Sequence, residues 1–177
     1  GLFGWAFGRT GVGTKEYAAM KLTLYLLFGS AFILVGMLAL YVAAGSTSFS
    51  LLALEAVEFD PGLQSWVFLA FYIGFGILAA IFPFHTWSPD GHASAPTAVS
   101  MLHAGVLMKL GAYGVVRLGM GLLPEATQQW AWLVGTIACI NIVYGALSAM
   151  AQKDLKYVIA YSSVSHMGIV MLGAATL

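Results

Sequence analysis

The sequence predicts an all-α protein, a polytopic transmembrane helix bundle with about five spans. Of its 177 residues, 60% are hydrophobic and only 8% are charged, whereas soluble domains are about 45–50% apolar and about 25% charged. Five apolar stretches each approach the length of about 20 residues that a spanning helix needs. None of them alternates apolar and polar residues, as the short strands of a membrane barrel do. We therefore expect one transmembrane domain over residues 1–177.

The five predicted spans follow one another along the whole chain. The first follows a charged segment that ends at Lys21, and the second ends at a proline, Pro83. The spans cover about residues 22–44, 64–82, 98–118, 130–151 and 155–177. Because the sequence starts without methionine and stops inside hydrophobic residues, we expect it to be an internal fragment of a longer polytopic protein.

Lysine and arginine residues indicate the orientation of the spans, since short cytoplasmic loops carry an excess of them. Five of the seven lie before the first span or between the fourth and fifth: Arg9, Lys15, Lys21, Lys153 and Lys156. Four crossings separate the two groups, so we expect both on the cytoplasmic side. Arg117, at the outer end of the third span, is an exception. Four tryptophans are expected at the membrane interfaces: Trp5, Trp66, Trp87 and Trp130.

The connection between the second and third spans, residues 82–97, contains three prolines and several small polar residues. Pro83 lacks an amide hydrogen and clashes with the preceding turn, so the second helix should be discontinuous there. Irregular backbone at membrane depth is tolerated where it is buried in protein or lines a wet cavity, and broken helices recur at transporter ion sites. We expect Ser94 or Thr97 to cap the third helix, with Pro96 near its first turn.

Lys109 is the most informative residue, because it places an ammonium group in the middle of an apolar span. Such a charge costs about 2.5–3.5 kcal/mol on insertion scales and usually marks an ion or proton path. In a regular helix Gly105 and Ala112 share its face and leave room for water or a partner side chain. We favour a proton-exchange role for Lys109. The alternatives are a structural ion pair or a side chain that extends to the membrane surface.

Two histidines within the spans are further candidates for proton transfer. His103 lies about 120° around a regular helix from Lys109, and a water-mediated relay and a structural hydrogen bond between helices are equally favoured for it. His166 lies among three serines, which we expect to pack at a helix interface and to support a hydrated pocket. A relay role is favoured there. For His85 and His92, bonds to loop carbonyls are slightly favoured over a role in gating proton access.

The composition excludes several other functions. Seven basic and seven acidic side chains balance, so the chain has no electrostatic footprint for nucleic acid. The single cysteine, Cys139, lies in an apolar stretch and provides neither a disulfide framework nor a metal-ligand set. We therefore expect no cofactor and no metal in this chain.

Three long motifs resemble a known family: FHTWSPDGHASAPTAVS at 84–100, AGVLMKLGAYG at 104–114 and DLKYVIAYSSVSHMG at 154–168. They closely resemble the proton-translocating antiporter-like subunits of respiratory complex I, NADH:quinone oxidoreductase. The run at 109–114 is most similar to the subunit M branch, which corresponds to the mitochondrial subunit 4 type. Subunits of multi-subunit sodium/proton antiporters and membrane-bound hydrogenases share the pattern.

The resemblance implies a bundle built from two inverted repeats, each with one broken helix. It implies proton translocation in the membrane arm of the complex, in a bacterial inner membrane or an equivalent energy-transducing membrane, with Lys109 and His166 on a central hydrophilic axis. FMN, iron–sulfur clusters and quinone are then expected on other subunits. The implied partners are other membrane-arm subunits, including neighbouring antiporter-like subunits, and the lipid bilayer.

The sequence departs from the family pattern in the broken helix. Members usually carry a lysine shortly before the Pro-Phe-His-Thr-Trp motif, where this chain has Leu78. Either protons move without that lysine, with His103 as the hypothesised substitute, or the path through this half is altered. Two other functions stay open: a subunit of a multi-subunit cation/proton antiporter without redox coupling, and a non-conducting membrane scaffold.

Overall fold

A computed structural model describes residues 15–45 and 50–176, and it is built from helices, with no strand in that part of the chain. The helices are α1 (Lys15–Ala44), α2 (Leu51–Glu55), α3 (Pro61–Leu78), α4 (Trp87–Ser94), α5 (Thr97–Leu102), α6 (Met108–Gly114), α7 (Pro124–Met150) and α8 (Leu155–Ala174). A π-helical turn, π1 (His103–Leu107), joins α5 to α6, and a second, π2 (Val115–Met120), extends α6, so that Thr97–Met120 forms one continuous crossing. Five helical segments are long and apolar enough to span a membrane. The predicted all-α membrane bundle is confirmed.

Three of the five crossings begin several residues earlier than the hydrophobic pattern predicts. The first begins by Lys15, seven residues before the expected start, and the second and fourth begin at Pro61 and Pro124. Proline suits the first turn of a helix, because an amide N–H at that position has no acceptor within the helix and its absence costs no hydrogen bond. Asp60 caps α3 by accepting a hydrogen bond from the Gly62 amide at 3.1 Å. Parts of the sequence interpretation concern residues that lie outside the described part of the chain: Trp5, Arg9 and Leu177.

Glycines bring two pairs of crossings into close contact. A Cβ atom at Gly74 of α3 would lie 2.8 Å from the Gly29 carbonyl oxygen of α1. A Cβ atom at Gly168 of α8 would lie 3.0 Å from the Ala138 carbonyl oxygen of α7. Small residues at these positions let helix backbones approach closely, which is a main source of attraction between helices in lipid.

Ion pairs lie at opposite ends of the bundle. At the end expected to be cytoplasmic, Lys21 Nζ of α1 lies 2.7 Å from Asp90 Oδ2 of α4. At the other end, Arg117 Nη2 lies 3.0 Å from Glu55 Oε1 of the outer connection. The arginine that breaks the charge pattern is therefore neutralised by a carboxylate of the outer loop.

The second crossing breaks four residues earlier than expected. Helix α3 ends at Leu78 rather than near residue 82, and Ala80 adopts a left-handed conformation with φ of 55°. Such a conformation costs an L-residue about 1–2 kcal/mol, so contacts around the break must stabilise it. The Trp87 indole donates to the Ile77 carbonyl at 2.8 Å, and the Phe82 amide donates to Asn141 Oδ1 at 3.0 Å.

Two smaller expectations about this region are wrong. Trp87 is completely buried beneath the break rather than placed at a membrane interface, because its indole nitrogen satisfies a carbonyl at the end of α3. Neither Ser94 nor Thr97 caps the third crossing. Pro96 holds the capping position, without a side-chain hydrogen bond, and Ser94 is a buried residue of α4.

Candidate functional site

Lys109 is the second residue of α6 and directly follows the π1 turn. In π1 the Met108 amide donates to the carbonyl of His103, five residues back. It thereby bypasses the Ala104 carbonyl, its partner in a regular α-helix. Lys109 Nζ donates to that Ala104 oxygen at 2.7 Å. Wide helical turns of this kind are frequent at functional sites.

The surroundings of Lys109 differ from the expectation of an enclosed lysine. Its side chain is exposed on the outside of the described helices, whereas Ala112 is buried. In a regular helix the residue four positions before Lys109, Gly105, would lie beside it. Because of the wider π1 turn, Lys109 instead contacts Ala104, five positions before it. Within the described residues Lys109 forms no ion pair.

His103 points into the core and away from solvent. It is completely buried, with its ring 5.8 Å from the Trp87 ring and 5.6 Å from the His92 ring, both in edge-to-face geometry. It therefore packs against α4, the short helix after the break. This position fits both a relay between histidines and a structural role, so both interpretations of His103 stay open.

His92 connects α4 to the third crossing. Its Nδ1 lies 2.9 Å from the Ser100 hydroxyl, and its buried Nε2 has no hydrogen-bond partner among the residues described. His92 thus bonds to a serine rather than to a loop carbonyl, and its ring contacts that of His103.

A cavity of about 240 Å³ lies between the third crossing and α8. That is room for several water molecules, each of which occupies about 30 Å³ in the liquid. Its polar lining consists of His92, Thr97, Ser100, Lys156 and Ser163, and Ala104 also lines it. Because the Ala104 carbonyl binds the Lys109 ammonium, the cavity wall includes the residue that holds Lys109.

Lys156 is a cavity residue that sequence analysis missed. Sequence analysis used this lysine only to orient the spans. Its exposed side chain lines the cavity, and its ammonium donates to the Ala95 carbonyl at 3.2 Å and to the Ala93 carbonyl at 3.5 Å. Both carbonyls lie at the C-terminal end of α4. These contacts join residues more than sixty positions apart, so no local sequence signal could have revealed them.

His166 lies on the exposed surface of α8. Its Nδ1 donates to the Ser162 carbonyl at 2.6 Å and lies 3.4 Å from the hydroxyl of the same residue. The other two serines bond elsewhere: Ser163 to the Ala160 carbonyl at 2.7 Å, and Ser165 across the interface to the Ile142 carbonyl of α7 at 3.0 Å. In the described chain the structure gives no direct contact between His166 and Lys109.

His85 is packed as an aromatic side chain beside the break. It is buried, stacks on Phe82 with ring centroids 5.8 Å apart and contacts the edge of Tyr144 at 4.8 Å. Neither ring nitrogen has a hydrogen-bond partner among the described residues, so the expected bond to a loop carbonyl is absent there. Over the same residues, no group of three or more His, Cys, Asp or Glu side chains is arranged to hold a metal ion.

Comparison with known proteins places this geometry in a family. The family model described as NADH:quinone oxidoreductase/Mrp antiporter, TM, matches residues 9–176. NAD(P)H-quinone oxidoreductase chain 4 3 of Picosynechococcus sp. is 47% identical over 163 residues, covering 92% of this chain and 30% of that protein. NAD(P)H-quinone oxidoreductase chain 4 of Gloeobacter violaceus is 45% identical over 163 residues, covering 92% and 31%.

Solved structures share the same helical arrangement. A chain of respiratory complex I from Thermus thermophilus with bound NADH superposes with a TM-score of 0.91 at 31% identity, covering 98% of this chain and 37% of that one. A chain of the Mrp complex from Dietzia sp. superposes with a TM-score of 0.81 at 20% identity, covering 98% and 33%, which is a likeness of fold alone. The sequence spans about 30% of the length of the curated relatives described above.

Proposed function

The chain belongs to the NADH:quinone oxidoreductase/Mrp antiporter transmembrane family, and from this we propose that it translocates protons as part of the membrane arm of an NADH:quinone oxidoreductase, complex I. It is a multi-pass membrane protein of the subunit M, or chain 4, type. The relatives named as chain 4 support this assignment at 44–47% identity, and so does the complex I chain at 31%. The likeness to the Mrp antiporter complex, at 20% identity, is one of fold.

The observation that carries the proposal is the position of Lys109. An ammonium in mid-span is expensive in lipid and is retained for ion or proton movement. Here it follows a π-helical turn and binds the carbonyl of a cavity-lining residue, Ala104. Lys109 takes up and releases a proton through cavity water as the charge around it changes. His103 and His166 are the proposed groups for proton transfer beside it.

Redox chemistry takes place elsewhere in the proposed complex. FMN, iron–sulfur clusters and quinone bind other subunits, and this chain contributes transport to the enzyme rather than electron transfer. Its partners are other membrane-arm subunits, including neighbouring antiporter-like subunits, in a bacterial inner membrane or an equivalent energy-transducing membrane.

The test is NADH-driven proton pumping by the reconstituted complex that carries Lys109→Ala in the full-length subunit. Pumping should be lost while the complex assembles and retains NADH:quinone reductase activity. Lys153→Ala is the matched control, because Lys153 is an exposed lysine near the start of α8. Unchanged pumping and electron transfer in Lys109→Ala would make that lysine structural and favour the scaffold alternative. Cation-dependent proton exchange without NADH would favour the antiporter alternative.

The substitution hypothesis for His103 has its own test. Leu78 ends α3 without a charge, and His103 is a buried titratable side chain in contact with His92. His103→Ala should lower the pumping rate without preventing assembly. Pumping at the wild-type rate in His103→Ala would contradict the hypothesis and leave His103 with a packing role.

A further inference from the structure

The buried imidazole of His92 belongs to the wall of the cavity beside Lys109. His92 is the sixth residue of α4, only 6% of its surface is exposed, and it lines the cavity of about 240 Å³ between the third crossing and α8. The proton-transfer groups proposed above, Lys109, His103 and His166, do not include it. A titratable side chain that is buried beside a space large enough for water is a candidate for moving protons.

The two ring nitrogens of His92 have different surroundings. Nδ1 lies 2.9 Å from the Ser100 hydroxyl, and Ser100 also lines the cavity. Nε2 is buried and has no hydrogen-bond partner among the residues described. Burial penalises the charged imidazolium, so we expect the neutral ring, which has one N–H group and one acceptor nitrogen. One nitrogen is therefore connected to the cavity through a hydroxyl, and the other remains available for exchanging a proton.

His103 is the titratable side chain that lies next to His92 in the interior. The two ring centroids are 5.6 Å apart, in edge-to-face geometry, and His103 is completely buried whereas Ser100 is only partly buried. Ser100 and His103 are three positions apart in the third crossing, so they share the helix face that meets α4. Ser100, His92 and His103 thus lead from the cavity wall to the interior of the bundle.

We propose that His92 transfers protons between cavity water and His103, with the Ser100 hydroxyl as its link to that water. The Ser100 hydroxyl gives its proton to Nδ1 and takes another from cavity water, while the N–H bond at Nε2 breaks and its proton passes to His103. One N–H bond forms and one breaks in His92, so its ring stays neutral and the transferred proton ends on His103. Rotation of the side chain and exchange with cavity water then restore the first tautomer.

This inference rests on the proposed function and adds a residue to its proton route. The test uses proteoliposomes with the complete complex and follows, with a voltage-sensitive dye, the membrane potential that NADH oxidation generates. His92→Ala should slow the formation of this potential several-fold. Added imidazole should restore much of the rate, relative to wild type in the same concentration of imidazole, because it can enter the cavity and exchange protons there. Pyrrole, a ring of the same size without an acceptor nitrogen, should not restore it.

Two variants of Ser100 cover the case in which His92→Ala prevents assembly. Ser100→Ala removes the link to cavity water and should slow potential formation, whereas Ser100→Thr keeps a hydroxyl and should not. Ser30→Ala is the matched control, because the Ser30 hydroxyl bonds to the Leu27 carbonyl within α1 at 2.8 Å.

Two results for His92→Ala would overturn the inference: a wild-type rate, or imidazole restoring no more of the rate than pyrrole does. If that variant does not assemble, a wild-type rate in Ser100→Ala would overturn it. A wild-type complex that generates no potential with NADH would instead overturn the proposed function.

Discussion

Asn141 of α7 is a buried amide that links the break in the second crossing to α8, and its replacement by leucine should destabilise the bundle. Its Oδ1 accepts from the Phe82 amide at 3.0 Å, and its Nδ2 donates to the Val164 carbonyl at 2.9 Å. The residue is completely buried. Leucine has the same branching as asparagine, with methyl groups in place of the amide oxygen and nitrogen, so Asn141→Leu removes both bonds without leaving a cavity.

The expected loss follows from what each partner retains. The Phe82 amide lies outside regular helix and loses its side-chain acceptor, and a buried donor without a partner costs about 1–3 kcal/mol. The Val164 carbonyl is inside α8 and keeps its backbone partner four residues on, so it loses only an interhelical bond of about 0.6 kcal/mol. Together these terms predict a loss of about 2–3 kcal/mol in the free energy of unfolding.

The measurement is SDS-induced unfolding of the full-length subunit in mixed micelles, compared with wild type. Ile140→Leu is the matched control: it changes a neighbouring, exposed side chain of the same helix and should leave the free energy of unfolding within about 0.5 kcal/mol of wild type. If Asn141→Leu unfolds at the wild-type SDS concentration, the amide bridge contributes no net stability and the reasoning is refuted.

Three further predictions concern packing and charge. Gly111→Val should block correct assembly of the subunit, measured by its recovery in the complex, since even a Cβ atom there would lie 2.5 Å from backbone at the end of α3; normal recovery would contradict the close approach. A double-mutant cycle on Lys21 and Asp90, whose side chains are 17% and 30% exposed, should give a coupling energy of about 1 kcal/mol. The same cycle on Arg117 and Glu55, whose side chains are 45% and 30% exposed, should give a coupling energy below about 0.5 kcal/mol. A larger coupling energy for Arg117 and Glu55 than for Lys21 and Asp90 would show that exposure does not set the strength of these ion pairs.

Apolar length was sufficient to predict the crossings. A helix needs about 20 apolar residues to span the bilayer. Apolar stretches of about that length can be recognised in the sequence, so all five crossings were expected. The position of the break was not. Pro83 correctly signals that a helix cannot continue, but the chain leaves the helix at Ala79. Alanine favours helix, yet Ala80 adopts a left-handed conformation, and the contacts that flank it, from Trp87 to Ile77 and from Asn141 to Phe82, come from residues distant from it in the sequence.

The candidate site was predictable only where its signal is a charge in an apolar segment. Lys109 and His166 stand out in the sequence for that reason. The π1 turn does not, because residues 103–107 have the composition of any membrane helix, and the shift from i−4 to i−5 bonding at Met108 is decided by packing. The contacts of Lys156 could not be predicted, because its partners, the Ala93 and Ala95 carbonyls, are backbone atoms and leave no signal in the sequence.

The contacts that tether α4 also bear on the order in which the chain is made. The Lys21 partner of Asp90 is synthesised before it, so that pair can form as soon as α4 emerges from the ribosome. The partner of the Ala93 carbonyl, Lys156, follows 63 residues later, about 3–13 s at 5–20 residues per second. During that interval the Ala93 and Ala95 carbonyls lack the Lys156 ammonium. The contacts of α4 are thus begun early in translation and completed only when the fifth crossing is made. If a nascent chain is released before Lys156 has been synthesised, the end of α4 has no cap.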